Sequence, residues 1–405
     1  MRYIRSKNGR WGMAIKVSEG EIVRRRKELE EKLEAEGIAG ACMFSPHNVF
    51  YFSRFAFIAT ERPIALAWAF GKRPVLFVPL LEREHAEEAC DVEVTTYPEY
   101  PDERHPMERL ADLLRDLGLE GKKIGADSDG YGGGYGYRGP KLSEAIAAEV
   151  VLIKDTLERM MAVKSPEEIE LLRESAKWAN LAHSLLQEYT RPGLTETEIA
   201  ARASLEASVA MFRALGPDYR PTRPGLPAQA GFRGQVGPGS AIPHALTTNA
   251  RIKKGDVLVT GATADAGGYW AELERTLIVG KPTEKQRHCF ELMLAAQDLA
   301  LAEIRPGRLC ADVDRAVRDF FAREGIEGYW RHHTGHALGI RMHEAPFLDI
   351  GDDTVIEPGM VFSVEPGIYI PGFAGFRHSD TVVVTESGAE RLTHYPRALA
   401  DLIVE

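Results

Sequence analysis

Apolar residues recur at every third or fourth position through residues 21–36, EIVRRRKELEEKLEAE, among polar helix formers, and this spacing predicts an amphipathic first helix. The short apolar runs GACMFS, ALAWAF and PVLFVPL that follow are bounded by Gly, Pro and Asn and read as strands. Helical patterns such as ERLADLLRDLG separate the later strands, so this first part of the chain predicts an α/β domain. The glycine-rich stretch DSDGYGGGYGYRGP (127–140) lacks the phosphate-loop spacing ending in Gly-Lys-Ser/Thr. It reads as a surface loop rather than a phosphate cradle.

The texture changes near residue 160, where Ser165 and Pro166 followed by Glu167 and Glu168 make a strong helix start ahead of a long amphipathic run. This predicts two domains, 1–160 and 161–405. Further helices are expected over LTETEIAARASLEASVAMF and TEKQRHCFELMLAAQDLALAEI, with strand-rich chain between and after them.

A length of 405 residues leaves room for two or three domains, and 44% hydrophobic with 27% charged residues is ordinary globular composition. The formal charge of -10 is opposite in sign to the footprint of a phosphate-backbone binder, so nucleic acid is not an expected partner. Cys42, Cys90, Cys289 and Cys310 are far apart, with no CxxC spacing, and read as reduced core thiols. No apolar h-region and no run of eighteen apolar residues occurs, so a cytoplasmic protein with no membrane partner is expected.

Candidate chemistry concentrates in the second half. KKGDVLVTGATADAGGYWAELERTLIVG reads as a hairpin with a Gly-rich turn. Two-residue alternation puts Glu272 and Glu274 on one face of its second strand, with Leu273 and Arg275 on the other. Such a pair is either a solvated face or two coupled carboxylates opposed by a cation. PHALTTN carries His244, and HHTGHALGIRMHEAP carries His332, His333, His336 and His343. Glu365 sits within the apolar VFSVEPGIY, where a carboxylate needs a specific partner. His332, His333 and His378 read as satisfied core or surface groups.

These residues resemble the creatinase and Xaa-Pro peptidase family with the pita-bread fold, over nearly the whole chain. VKSPEEIELLR is similar to the helix opening the pita-bread domain, TGHALG and HEAP to the two histidine motifs, EPGMVFSVEPGIY to the carboxylate strand and DTVVVTESGAERLT to the closing hairpin. The resemblance implies an α+β protein: a creatinase-type α/β N-terminal domain, then a pita-bread catalytic domain, with a homodimer as the usual assembly.

In the peptidase branch two metal ions are held by two Asp, one His and two Glu. Carried over, these positions fall on Gly261, Glu272, His336, Glu365 and Ser379. Glycine has no side chain and a serine hydroxyl is a poor substitute for a carboxylate, so paired ions are not expected. A single Mn, Co or Zn ion on Glu272, His336 and Glu365 stays open, since three protein ligands suffice for a catalytic site.

Creatinase hydrolyses without metal, and its ALERT motif resembles AELERT at 271–276, which places its functional glutamate on Glu274, its catalytic histidine on His244 and its second carboxylate on Glu365. The resemblance also implies that Arg62 reaches the partner subunit's site and holds a substrate carboxylate. The creatinase pattern is broken at Thr60, His343 and Ser379, which argues against creatine itself. The leading expectation is therefore a hydrolase that cleaves a C–N bond in a small carboxylate-bearing compound without a dinuclear centre, and with no cofactor required. His244 would move the proton, Glu274 and Glu365 would hold the NH-rich end, and His336 or His343 would stabilise developing charge. Glu272 is left as a substrate contact, a ligand or a partner of His336. The alternatives are a metallopeptidase of the Xaa-Pro type with an altered metal site, and a non-catalytic pita-bread binding protein.

Overall fold

The computed structural model describes residues 15–132 and 134–405, together with the backbone of residues 3–5 and 11–13. The chain divides into two compact units. One comprises residues 17–160 with 222–224, and the other 161–221 and 225–405 with the described residues before 17.

The first unit is built on a six-stranded mixed sheet in the order Glu93–Tyr97, Val75–Pro79, Ala65–Ala69, Gly40–Met43, Lys123–Ala126, Glu149–Leu152. The first helix, Glu19–Glu34, starts where Ser18 Oγ accepts from the Glu21 N–H, and buries Ile22, Leu29 and Leu33 at helical spacing. The glycine-rich segment begins on a half-buried acid: Asp127 accepts from the Phe44 and Ser45 N–H groups and from Asn48, so its root is tied into the domain.

In the second unit a capping box at Ser165 and Glu168, with Pro166 in the first turn, starts the helix Pro166–Tyr189, and an equivalent box at Thr195 and Glu198 starts Glu196–Leu215. The sheet has nine strands. Its main path runs Glu344–Leu348, Gly335–Ala337, Val361–Val364, Ser379–Thr385, Tyr269–Val279, Val257–Ala266, Ala228–Gly231. The hairpin 257–279 forms as the strand pattern predicts, and the closing hairpin Ser379–Arg391 forms as the resemblance implies.

On the back of the central strands Ala262, Ala264, Leu273 and Leu277 join Trp178, Ala182 and Leu186 of the first long helix and Phe290 and Met293 of the helix Glu284–Glu303 in one core. Burial of each large apolar side chain there stabilises the unit by about 1.5–3 kcal/mol. Arg275 reinforces this face from within. Fully buried, it donates to the carbonyls of Glu274, Ser379, Tyr395 and Pro396 and pairs with Asp380 at 2.9 Å. It thereby clamps the two central strands together directly behind Glu274 and Ser379. All four cysteines are buried and free. Among the described residues no helix is long and apolar enough to cross a membrane.

Among the elements that escape the sequence patterns are the helix Cys310–Arg323 and the three-residue strand Gly335–Ala337. The strand Gly-His-Ala carries no apolar alternation. It exists because it pairs on both edges, His336 with Phe347 on one side and with Ser363 on the other.

Candidate active site

The front face of the sheet collects the polar residues. Alternation holds: Glu272 and Glu274 share this face, and Gly261 pairs with Glu274, which pairs in turn with Ser379. His336 pairs with Ser363, and Ser363 with Thr381, so His336 arrives on the same face from two strands away. Glu365 stands one residue beyond Val361–Val364, not within the strand, and its N–H donates to the Thr334 carbonyl.

Glu272, His336 and Glu365, all buried, bring one ligating atom each to within 4.8 Å of one another. His336 Nδ1 lies 3.0 Å from the Ala337 carbonyl, which can only accept, so Nδ1 carries the hydrogen and Nε2 presents its lone pair. That Nε2 is buried without a hydrogen-bond partner, 3.6 Å from Glu272 Oε2 and 3.6 Å from Glu365 Oε1. An orphaned imidazole nitrogen converging with two carboxylates fits one divalent cation. Burial, with Glu274 and Glu365 nearby, pushes Glu272 up to about 7, and burial and Glu274 raise Glu365 as well. A cation among them would remove that cost.

A second ion does not fit. Gly261 offers no donor, and Ser379 Oγ is engaged 2.6 Å from Ser363 Oγ, which donates to Glu272 at 3.1 Å. Glu274 is claimed by guanidinium groups. Arg377 holds it with Nε and with Nη2 at 2.7 Å, and Arg233 Nη2 reaches it at 2.7 Å. Burial raises Glu274, yet these cations outweigh it and keep the carboxylate below its ordinary range.

Arg377 also donates to Tyr369 Oη at 2.9 Å. His332 Nδ1 is 2.8 Å from the His333 carbonyl, so its Nε2 accepts from Tyr369 Oη at 2.8 Å. Burial and the Arg377 charge push His332 down to about 4, which leaves it neutral. His332, read from sequence as bland, therefore belongs to the site, as do Arg377, Tyr369 and Arg233. The adjacency of His332 to a histidine motif was the available signal for the first, whereas nothing local marked the two arginines.

His343 stacks on His336, with ring centroids 3.7 Å apart and 14° between planes, and burial with the neighbouring His336 pushes it down to about 4. His244 lies on an exposed loop whose Pro243 carbonyl is 3.4 Å from Arg377 Nη1. That loop is set by Glu196, which accepts from the Gly234 and Thr248 N–H groups at 2.7 Å each. Gly375 meets it from the other side, where a Cβ would collide with the Ser240 carbonyl. His378 points to the back of the sheet against Phe290, fully buried. Within the first unit Arg62 is held by Glu99 at 2.6 Å and by Glu61, so its guanidinium is already paired with two carboxylates.

An α/β unit followed by a pita-bread unit whose sheet gathers carboxylates and imidazoles on one face is the architecture of the creatinase and prolidase class of enzymes. The chain belongs to metallopeptidase family M24, which matches residues 170–386, preceded by a Creatinase/Prolidase N-terminal domain matching residues 25–187. It is 30% identical over 380 residues to the Xaa-Pro dipeptidase of Pyrococcus furiosus, covering 93% of this chain and 99% of that one. Among solved structures it is similar to the Xaa-Pro dipeptidase from Bacillus anthracis, with a TM-score of 0.79, 27% identity and coverage of 95% and 100% of the two chains. It is likewise similar to the prolidase from Pyrococcus horikoshii, with a TM-score of 0.77, 28% identity and coverage of 93% and 99%. These relatives favour the peptidase alternative over the creatinase-like activity that AELERT suggests. They also make a metal plausible where the sequence reading required none.

Proposed function

We propose that this protein is a peptidase-type hydrolase that cleaves the amide C–N bond of a small Xaa-Pro-like dipeptide, using one divalent ion (Mn, Co or Zn) held by Glu272, His336 and Glu365. The observation that carries this reading is the buried, unpartnered Nε2 of His336 set between two carboxylates. Membership of family M24 and the dipeptidase activity named for its relatives support it.

A divalent ion at this site supplies Lewis-acid polarisation of the scissile carbonyl. The chain's own residues do the rest. Glu365, beside the ion, takes a proton from the attacking water, and His244 on its exposed loop passes a proton to the leaving nitrogen. His343, neutral and stacked on His336, donates a hydrogen bond to the developing oxyanion. Ser363 orients Glu272, and Arg377 keeps Glu274 ionised beside it.

Metal analysis of purified protein, combined with an assay on Ala-Pro and Gly-Pro with and without EDTA, tests the reading. One equivalent of metal and turnover lost to the chelator is the expected result. Turnover that survives complete metal removal instead supports the second reading, a metal-independent creatinase-like hydrolase. That reading is favoured by Glu274 in AELERT and by the absent donors at Gly261 and Ser379.

A further inference from the structure

We propose that Arg233 anchors the carboxylate of the substrate and makes the enzyme selective for compounds with a free acid group. This deepens the dipeptide reading above and rests on it.

Two guanidinium groups reach Glu274, and they are not equivalent. Arg377 is buried and uses all three of its nitrogens, two on Glu274 and the third on Tyr369 and the Pro243 carbonyl. Arg233 is half exposed, at 48%, and its contacts to Glu274 and Gln235 both run through Nη2. Among the described residues its Nη1 and Nε have no partner. Arg233 is thus fixed at one corner to the floor of the site while its remaining donors face outward, the posture of a fork that receives a carboxylate in a bidentate way.

Its backbone supports this. Arg233 has φ 52°, in the left-handed region that a non-glycine residue rarely occupies, and such strain gathers at ligand clamps. Gly234, next in the chain, is pinned through its N–H to the buried Glu196, so the strained turn is held from outside the site. Charge gives the third argument. Arg377 already pairs with Glu274 through two nitrogens, and Arg233 brings a second guanidinium to the same carboxylate. With a divalent ion bound, three carboxylates face two guanidiniums and two further positive charges. One positive charge is left in excess, which a substrate monocarboxylate balances.

Calorimetric titration of the manganese-loaded protein with N-acetyl-L-proline and N-acetyl-L-prolinamide tests the proposal without any turnover. Wild type is expected to bind the acid at least about tenfold tighter than the amide, Arg233→Gln to lose most of that preference, and Arg233→Lys to keep part of it, since Lys retains the charge and loses the planar fork. Arg233→Lys also covers the case in which the Gln variant does not fold. An acid preference unchanged in both variants, or absent in wild type, overturns the proposal. Arg233-dependent acid binding without cleavage of Ala-Pro would sink the peptidase reading and leave the anchor standing.

Discussion

Gly261 and Glu274 face one another across the central hairpin, and the Glu274 carboxylate lies over the bare Cα of Gly261, with Oε1 3.5 Å from where a Cβ would stand. The negative charge that a side chain at 261 would bring is supplied instead by the neighbouring strand, where Arg377 and Arg233 grip it. Glu274→Ala would leave Arg377 buried without its partner, and a loss of about 3–5 kcal/mol of unfolding free energy is expected. Adding Gly261→Asp to that variant places a carboxylate back in the vacated space and is expected to recover at least about 1 kcal/mol. Denaturant midpoints of the two singles and the double decide it, and a double no more stable than Glu274→Ala would break the relationship.

One ion, not two, follows from the donor set. Wild type dialysed against excess Mn is expected to retain one equivalent, and His336→Ala or Glu272→Gln to retain essentially none, by elemental analysis. Saturating Mn at about a hundred times its dissociation constant would stabilise the wild-type fold by about 2.7 kcal/mol, a shift in thermal midpoint that His336→Ala should lack.

His244 is exposed, so its replacement tests chemistry with little structural cost. His244→Ala is expected to lower kcat about a hundredfold or more while leaving the thermal midpoint within about 2 °C of wild type. An unchanged kcat removes His244 from the proton path.

Part of the acid sensitivity is set behind the site. His183 and His378 are fully buried; burial pushes His183 down to about 3 and His378 well below its ordinary value. Both stay neutral in the fold while the unfolded chain protonates below about pH 6.5. Their contribution to stability is therefore complete above that pH and falls by about 1.4 kcal/mol per pH unit for each histidine as the pH drops toward 4. His378 makes no hydrogen bond through either nitrogen, so His378→Leu is expected to flatten the dependence of the urea midpoint on pH between 6.5 and 4.5 at little cost at pH 8.

The strand alternation that pairs Glu272 with Glu274, the helix start at Ser165, and the histidine motifs were legible in the chain. Each is a local pattern whose physics acts within a few residues. The absent carboxylates at Gly261 and Ser379 came with the resemblance to the peptidase motifs, since only that comparison says which positions should carry a donor.

What only the tertiary structure decided is which charges meet. Arg233 comes from the loop after Ala228–Gly231, Glu274 from the hairpin, Arg377 from the end of Ala374–Arg377, His332 from the segment before Gly335–Ala337 and Tyr369 from the strand Gly367–Ile370. No periodicity links positions forty to a hundred and forty residues apart. The fold brings them together because the apolar back of the sheet must be buried, and this turns every alternate polar side chain toward one face. There the cost of crowding buried carboxylates selects arginine, and on our reading one metal ion, as their counter-charges.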